Sequence, residues 1–132
     1  VITAYIDGGA RGNPGPAGYG VHIVDESGAL VAELYQGIGH ATNNVAEYRG
    51  LLAALEWALA HGYTRVHIKS DSLLLVQQIN GHFRIKHEGL IPLYRQARHL
   101  MARVGKVTVE HVRREQNKEA DRLSNLGMDQ NV

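Results

Sequence analysis

Apolar and polar side chains alternate at the start of the chain, Ile2, Ala4 and Ile6 against Thr3, Tyr5 and Asp7. That period of two predicts a strand with one face in a core. The strand is expected to end at the Gly-rich loop GGARGNPGPAG, because clustered glycine and proline mark turns. A second strand is predicted at about Tyr19–Val24 and a third near Ala29–Gln36. The Asp25–Gly28 cluster between them is short enough to make the pair an antiparallel hairpin. After a predicted loop over Gly37–Asn43, residues Val45, Tyr48, Leu52, Leu55 and Leu59 recur at helical spacing, and the helix ends near Gly62.

In the second half, Arg65–Ser70 is a short run between helical patterns, as expected of a strand entered and left by crossovers. Ser72–Asn80 predicts a short helix. Leu90, Leu93, Tyr94, Ala97, Leu100, Met101 and Val104 predict a longer one, with Pro92 tolerated in its first turn. Lys106–Val112 alternates as a last strand, and Asn117 is placed to cap a closing helix that runs to about Leu126 with Gly127 as its terminator. A strand meander followed by crossover units predicts an α/β chain, one mixed sheet with helices packed on it. No repeat or linker interrupts the pattern, so residues 1–132 are expected to form one domain.

Composition narrows the chemistry. Zero cysteines among 132 residues exclude disulfides, thiolate zinc sites and a catalytic thiol. No stretch approaches the about 20 apolar residues of a membrane helix, so a soluble, cytoplasmic domain without a membrane partner is expected, monomeric by default. Opening on Val1 and not Met fits a domain trimmed or cut from a longer chain that carries a fused partner domain. The formal charge of +1 hides an asymmetry: residues 1–60 hold two basic and six acidic side chains, and residues 61–132 hold twelve and seven. Between Gly81 and Arg114 lie Arg84, Lys86, Arg95, Arg98, Arg103, Lys106, Arg113 and Arg114 against only Glu88 and Glu110. Such a segment is either a solvated helix face or a surface for a polyanion.

Four carboxylates sit at predicted element ends. Asp7-Gly8 suits a turn after a strand, and Glu47, three residues after Asn44, has capping-box spacing. Asp71 precedes a helix it could cap, and Asp121 lies in a first turn where the helix dipole favours negative charge. Singly, each has that structural explanation. Together they weigh differently, since two end strands of one sheet and sites in such sheets gather beyond strand ends. Clustered carboxylates repel unless cations neutralise them, and hard oxygen ligands suit Mg²⁺ or Mn²⁺. Two such ions about 4 Å apart activate a water and stabilise the leaving oxygen of a phosphodiester.

The segments YIDGGARGNPGPAGYG, ATNNVAEYRGLLAAL, IKSDSLLLVQQING and REQNKEADRLSN, in this order and at these separations, resemble the four signature blocks of type 1 ribonuclease H. The resemblance spans essentially the whole chain. It implies a ribonuclease H-like fold, with a five-stranded mixed sheet (antiparallel meander plus parallel crossover strands) flanked by helices. It also implies an endoribonuclease that cuts the RNA strand of an RNA/DNA hybrid using two Mg²⁺ or Mn²⁺ ions, leaving 3′-hydroxyl and 5′-phosphate ends. By position, Asp7, Glu47, Asp71 and Asp121 match the catalytic, metal-holding carboxylates. Asp7 would bridge both ions, Asp121 would complete the site that activates water, and Glu47 and Asp71 would hold the second ion near the leaving oxygen. Gly12 and Asn13 match loop positions that approach the RNA strand. Thr42, Asn43 and Asn44 match a hybrid-contacting segment, Thr42 at a DNA phosphate, although a loop and helix cap explains them too.

The sequence departs from the family pattern in four places. The loop before Asp121 is short, so His111, ten residues back, reads as a strand residue. Arg114 matches an arginine of the short-loop branch, where a fixed cation aids phosphate departure; an ordinary surface arginine is the competing explanation. The long basic protrusion is missing, since only GHFRIKHEG joins Asn80 to Leu90, and hybrid binding must lean on Arg84, Lys86 and His87. Phe83 stands where relatives often place a tryptophan against DNA sugars, with a core phenylalanine as the alternative. His40 replaces an arginine that some relatives use beside Thr42, leaving the DNA-phosphate contact open. A non-catalytic hybrid-binding module does not need an acidic pocket, GNPGP and TNNVAE disfavour a nuclease for other DNA structures, and GGARGNPGPAG lacks the GK[ST] ending of a P-loop.

Overall fold

The computed structural model describes residues 1–131. Five strands, β1 (Ile2–Ala10), β2 (Gly15–Val24), β3 (Leu30–Ala41), β4 (Arg65–Ser70) and β5 (Lys106–His111), form one sheet in the order β3-β2-β1-β4-β5. The first three pair antiparallel, and β4 runs parallel to both β1 and β5. Four helices complete the fold: α1 (Asn43–Ala60), α2 (Leu73–Ile79), α3 (Ile91–Val104) and α4 (Lys118–Asp129). The expected mixed sheet is therefore present, with α1, α2 and α3 on one face and α4 against β1, β2 and β3 on the other.

Strand alternation sorts the two faces. Ile2, Ala4, Ile6, Val21, Ile23, Val66 and Ile68 are buried against Leu51, Leu55 and Ala58 of α1 and Leu75 and Ile79 of α2. Burial of these aliphatic side chains, about 1.5–3 kcal/mol each, is the main force holding the helices down. Glycines line the opposite face. A Cβ at Gly20 would lie 2.4 Å from Leu123 Cβ and 2.4 Å from Ser124 N, so α4 rests directly on the β2 backbone.

The same packing explains where the elements differ from the sequence expectation. The Gly-rich segments read as loops are largely strand: β1 continues to Ala10, β2 begins at Gly15, and β3 extends through Gly37 and Gly39 to Ala41. A Cβ at Gly18 would sit 2.5 Å from the Gly127 carbonyl carbon, and one at Gly37 2.7 Å from Gly127 O. These glycines admit a helix, and do not break a strand. Gly127, expected as a terminator, is likewise interior to α4, where a Cβ would come 2.7 Å from Gln36 O. Asn117 occupies the cap position of α4 without a capping bond; its Nδ2 donates to Ile6 O at 2.9 Å because the residue is buried under β1. Thr42 and Ser72, and neither Asn44 nor Asp71, cap α1 and α2 through their hydroxyl oxygens.

Replacing Gly20 by Ala is expected to push α4 off the sheet and to cost about 1–3 kcal/mol, the range for overpacking a tight contact. Urea unfolding reads this as a lowered midpoint, and an unchanged midpoint would contradict the direct helix-to-backbone contact.

Candidate active site

The strand register builds the centre of the site. Ile6 pairs with Ser70 in the parallel β1–β4 ladder, so Asp7, which sits inside β1 and not at its end as the sequence suggested, lies beside Asp71, the first residue past β4. Parallel neighbours lie about 4.8 Å apart. The third carboxylate comes from α1, which crosses β1 so closely that a Cβ at Gly8 would meet the Ala46 carbonyl carbon at 2.3 Å and Glu47 N at 2.5 Å. Asp7, Glu47 and Asp71 each offer an oxygen, all within 4.8 Å of one another. Asp121, exposed on the first turns of α4, borders the same cleft of about 560 Å³ together with Arg114, Asn43 and Asn44.

Charge in this cleft is poorly compensated. Burial pushes the Asp7 carboxyl up to about 7, and the neighbouring Asp71 and Asp121 add to the rise while the Ser124 hydroxyl opposes it. Burial, then Asp7 and Asp71, drive Glu47 well above the usual carboxylate range. Asp71 is raised by its burial, against the lowering effects of the Asn117 amide and the Arg114 guanidinium. Glu47 Oε2 is buried with no hydrogen-bond partner among the described residues. An orphaned carboxylate oxygen facing two more carboxylates is the donor set of a hard divalent cation, and the residues fit such an ion.

The surrounding residues divide into those the cleft gathers and those it does not. The β1–β2 loop is tied to α1 by two bonds: Asn43 N donates to Asn13 Oδ1 at 3.0 Å and Ala10 N to Asn43 Oδ1 at 2.7 Å. Gly12 has φ +80°, a left-handed turn suited to glycine. Thr42 Oγ1 accepts from Val45 N, so the cap explanation holds for its oxygen. Phe83 is 47% exposed and is therefore not a core residue. With Asn44, Leu74, Arg84, Lys86 and His87 it lines an adjoining cleft. His40 is exposed on β3. His111 is on β5 and borders a different cavity with His67 and Lys69, whereas Arg114 stands beside the carboxylates. Sequence reasoning missed Ser124, Asn117 as a site neighbour, and Arg11, which pairs with Asp129 at the cleft edge. Ser124 and Asn117 lie in the motif REQNKEADRLSN, but nothing in it says that they face β1.

The raised Asp7 sets a pH dependence. A carboxyl whose folded pKa exceeds its unfolded value destabilises the fold above the folded pKa, and the penalty fades as pH falls toward the unfolded value. In chelator at pH 8, Asp7→Asn is expected to stabilise the protein by roughly 2–4 kcal/mol, and at pH 4 by almost nothing. Thermal unfolding of both proteins across this range measures it; equal melting temperatures at pH 8 would refute the crowding of charge.

Comparison with known proteins places this geometry. The family described as Reverse transcriptase-like matches residues 5–127. A bifunctional protein of Mycobacterium tuberculosis is 48% identical over 130 residues, covering 97% of this chain and 35% of that protein. Ribonuclease HI of Halobacterium salinarum is 40% identical over 128 residues, covering 97% of this chain and 64% of that protein. The chain thus spans about a third of the first relative and under two thirds of the second. The crystal structure of the Halobacterium salinarum RNase H1 superposes with a TM-score of 0.94 at 40% identity, covering 98% of each chain. LC11-RNase H1 in complex with an RNA/DNA hybrid gives 0.93 at 41% identity, also covering 98% of each. Sheet order, helix placement and near full-length similarity agree, and the chain belongs to the reverse transcriptase-like family, among the type 1 ribonucleases H.

Proposed function

We propose that this domain hydrolyses the RNA strand of RNA/DNA hybrids with the help of two divalent cations, Mg²⁺ or Mn²⁺, and leaves 3′-hydroxyl and 5′-phosphate ends. The observation that carries this reading is the convergence of Asp7, Glu47 and Asp71 within 4.8 Å at the end of the sheet. Its support from relatives is the hybrid bound to LC11-RNase H1. Asp7, Glu47, Asp71 and Asp121 hold the cations. When bound, the cations neutralise the carboxylates and supply Lewis acidity to the scissile phosphate and the attacking water.

The chain's own groups do the rest. Arg114, beside the carboxylates, gives the departing phosphate a fixed positive charge without proton transfer. Gly12 and Asn13 let the β1–β2 loop approach the RNA sugar edge, where a 2′-hydroxyl distinguishes RNA from DNA. Thr42, Asn43 and Asn44 present the start of α1 to the backbone of the hybrid. Phe83 offers an exposed ring to DNA sugars, and Arg84 and Lys86 hold phosphates. We infer that the domain acts as a monomer in the cytoplasm and works within a longer chain, as in the bifunctional mycobacterial relative. No helix among the described residues is long and apolar enough to cross a membrane.

A labelled RNA/DNA hybrid, single-stranded RNA, double-stranded RNA and duplex DNA, each incubated with Mg²⁺, Mn²⁺ or chelator, test the activity. Cleavage confined to the hybrid, lost in chelator and reduced at least about 100-fold by Asp71→Asn, is expected. Hybrid binding without cleavage would leave a binding module instead. Binding should fall steeply with salt, and Arg84→Ala with Lys86→Ala should flatten the slope of log K against log salt by about 2. A wild-type slope near zero would exclude phosphate contacts by these residues.

A further inference from the structure

Among the described residues, a single side-chain hydroxyl donates to Asp7. Ser124, on α4 and only 1% exposed, places Oγ 3.1 Å from Asp7 Oδ2 and 2.8 Å from Asp121 O. Of the neighbouring polar groups, the Asn117 amide and Arg114 act on Asp71, and Glu47 Oε2 has no partner among the described residues. The position of Ser124 is itself imposed. Gly20 is the register partner of Asp7 across the β1–β2 ladder, and a Cβ there would lie 2.4 Å from Ser124 N. A bare glycine opposite the carboxylate is what lets the α4 backbone descend until its serine reaches Asp7.

We propose that Ser124 is a positioning residue, whose hydroxyl fixes the rotation of the Asp7 carboxylate so that this group meets a divalent cation already oriented. The inference rests on the cation-binding reading of the cleft. With Oδ2 held, the side chain loses its freedom to turn about its last torsion before any ligand arrives, and less order has to be imposed on binding. The hydroxyl has one proton and two acceptors within reach. A carboxylate offers about four lone-pair sites, so Asp7 can keep accepting from the hydroxyl while it also serves a cation. Of the two bonds, the one to Asp7 joins α4 to β1, whereas the one to the Asp121 carbonyl stays within α4.

Calorimetric titration with Mn²⁺ in the absence of nucleic acid tests this on the wild type, Ser124→Ala and Ser124→Cys. Alanine removes the hydroxyl from a helical position it favours, and cysteine keeps the volume while donating only weakly. Both variants are expected to bind Mn²⁺ about 3–10-fold more weakly. The Mn²⁺ concentration for half-maximal hybrid cleavage should rise in parallel, with KM for the hybrid unchanged. Should the alanine variant unfold early, the cysteine variant carries the comparison. Affinities within twofold of the wild type in both variants would overturn the proposal, as would a loss in alanine with full affinity in cysteine, which would mark a packing effect. A wild type that binds no Mn²⁺ overturns the cation reading of the cleft instead.

Discussion

Three buried or half-buried carboxylates held within 4.8 Å of one another govern the rest of this structure. At that spacing, two unit charges repel by about 3–4 kcal/mol for an effective dielectric of 20. Left alone, flexible side chains would swing apart. They are instead carried on backbone that cannot yield: two neighbouring strands of a parallel ladder and a helix seated on β1. The protein relieves the repulsion only in part, by keeping protons on Asp7 and Glu47 to higher pH than usual, and the remaining imbalance is what a hard cation would neutralise.

Rigidity of that kind depends on how closely helices approach the sheet. At Gly8 and Gly20 the contact is backbone against helix, without intervening side chains. Gly8 sets the height of Glu47 above Asp7, and Gly20 sets the height of Ser124 beside it. Site geometry and core packing are therefore one arrangement, with the two helices clamping β1 from opposite faces at its last turn before the loop. Apolar burial by Leu51, Leu55, Leu75 and Leu123 supplies the force that keeps the clamp closed.

Charge is distributed to match. Among the described residues, none of the cations from Arg84 to Arg114 forms an ion pair, while Arg11, Lys69 and Arg122 do. Of these, Arg114 lines the acidic cleft and Arg84 and Lys86 line the cleft that adjoins it, an arrangement suited to holding a polyanion across a centre that would repel it without cations. Arg114 stands where the two regions meet, close enough to act on Asp71.

Much of this was legible from the chain itself. Alternation at Ile2–Asp7, the helical spacing of Val45–Leu59 and the crossover order determined the sheet and its helices, because burial of one face imposes a period that linear sequence records. Asp71 just past β4 and Asp121 early in α4 sit close to where local pattern placed them, whereas Asp7 proved to be inside β1 and Glu47 in the second turn of α1. The strand character of Gly15–Gly18 and Gly37–Ala41, the interior place of Gly127, and the inward turn of Asn117 were not legible. Glycine in isolation signals a loop, and only the packed α4 shows that it marks room for a helix. Ser124 depends on the same long-range fact: 117 positions separate it from Asp7, and the two meet where Gly20, the cross-strand partner of Asp7, leaves room for the α4 backbone. Local pattern decided which elements form and where acidic groups would be offered. Tertiary packing alone decided which neighbours orient those groups, since the distances involved are set by contacts between segments far apart in the chain.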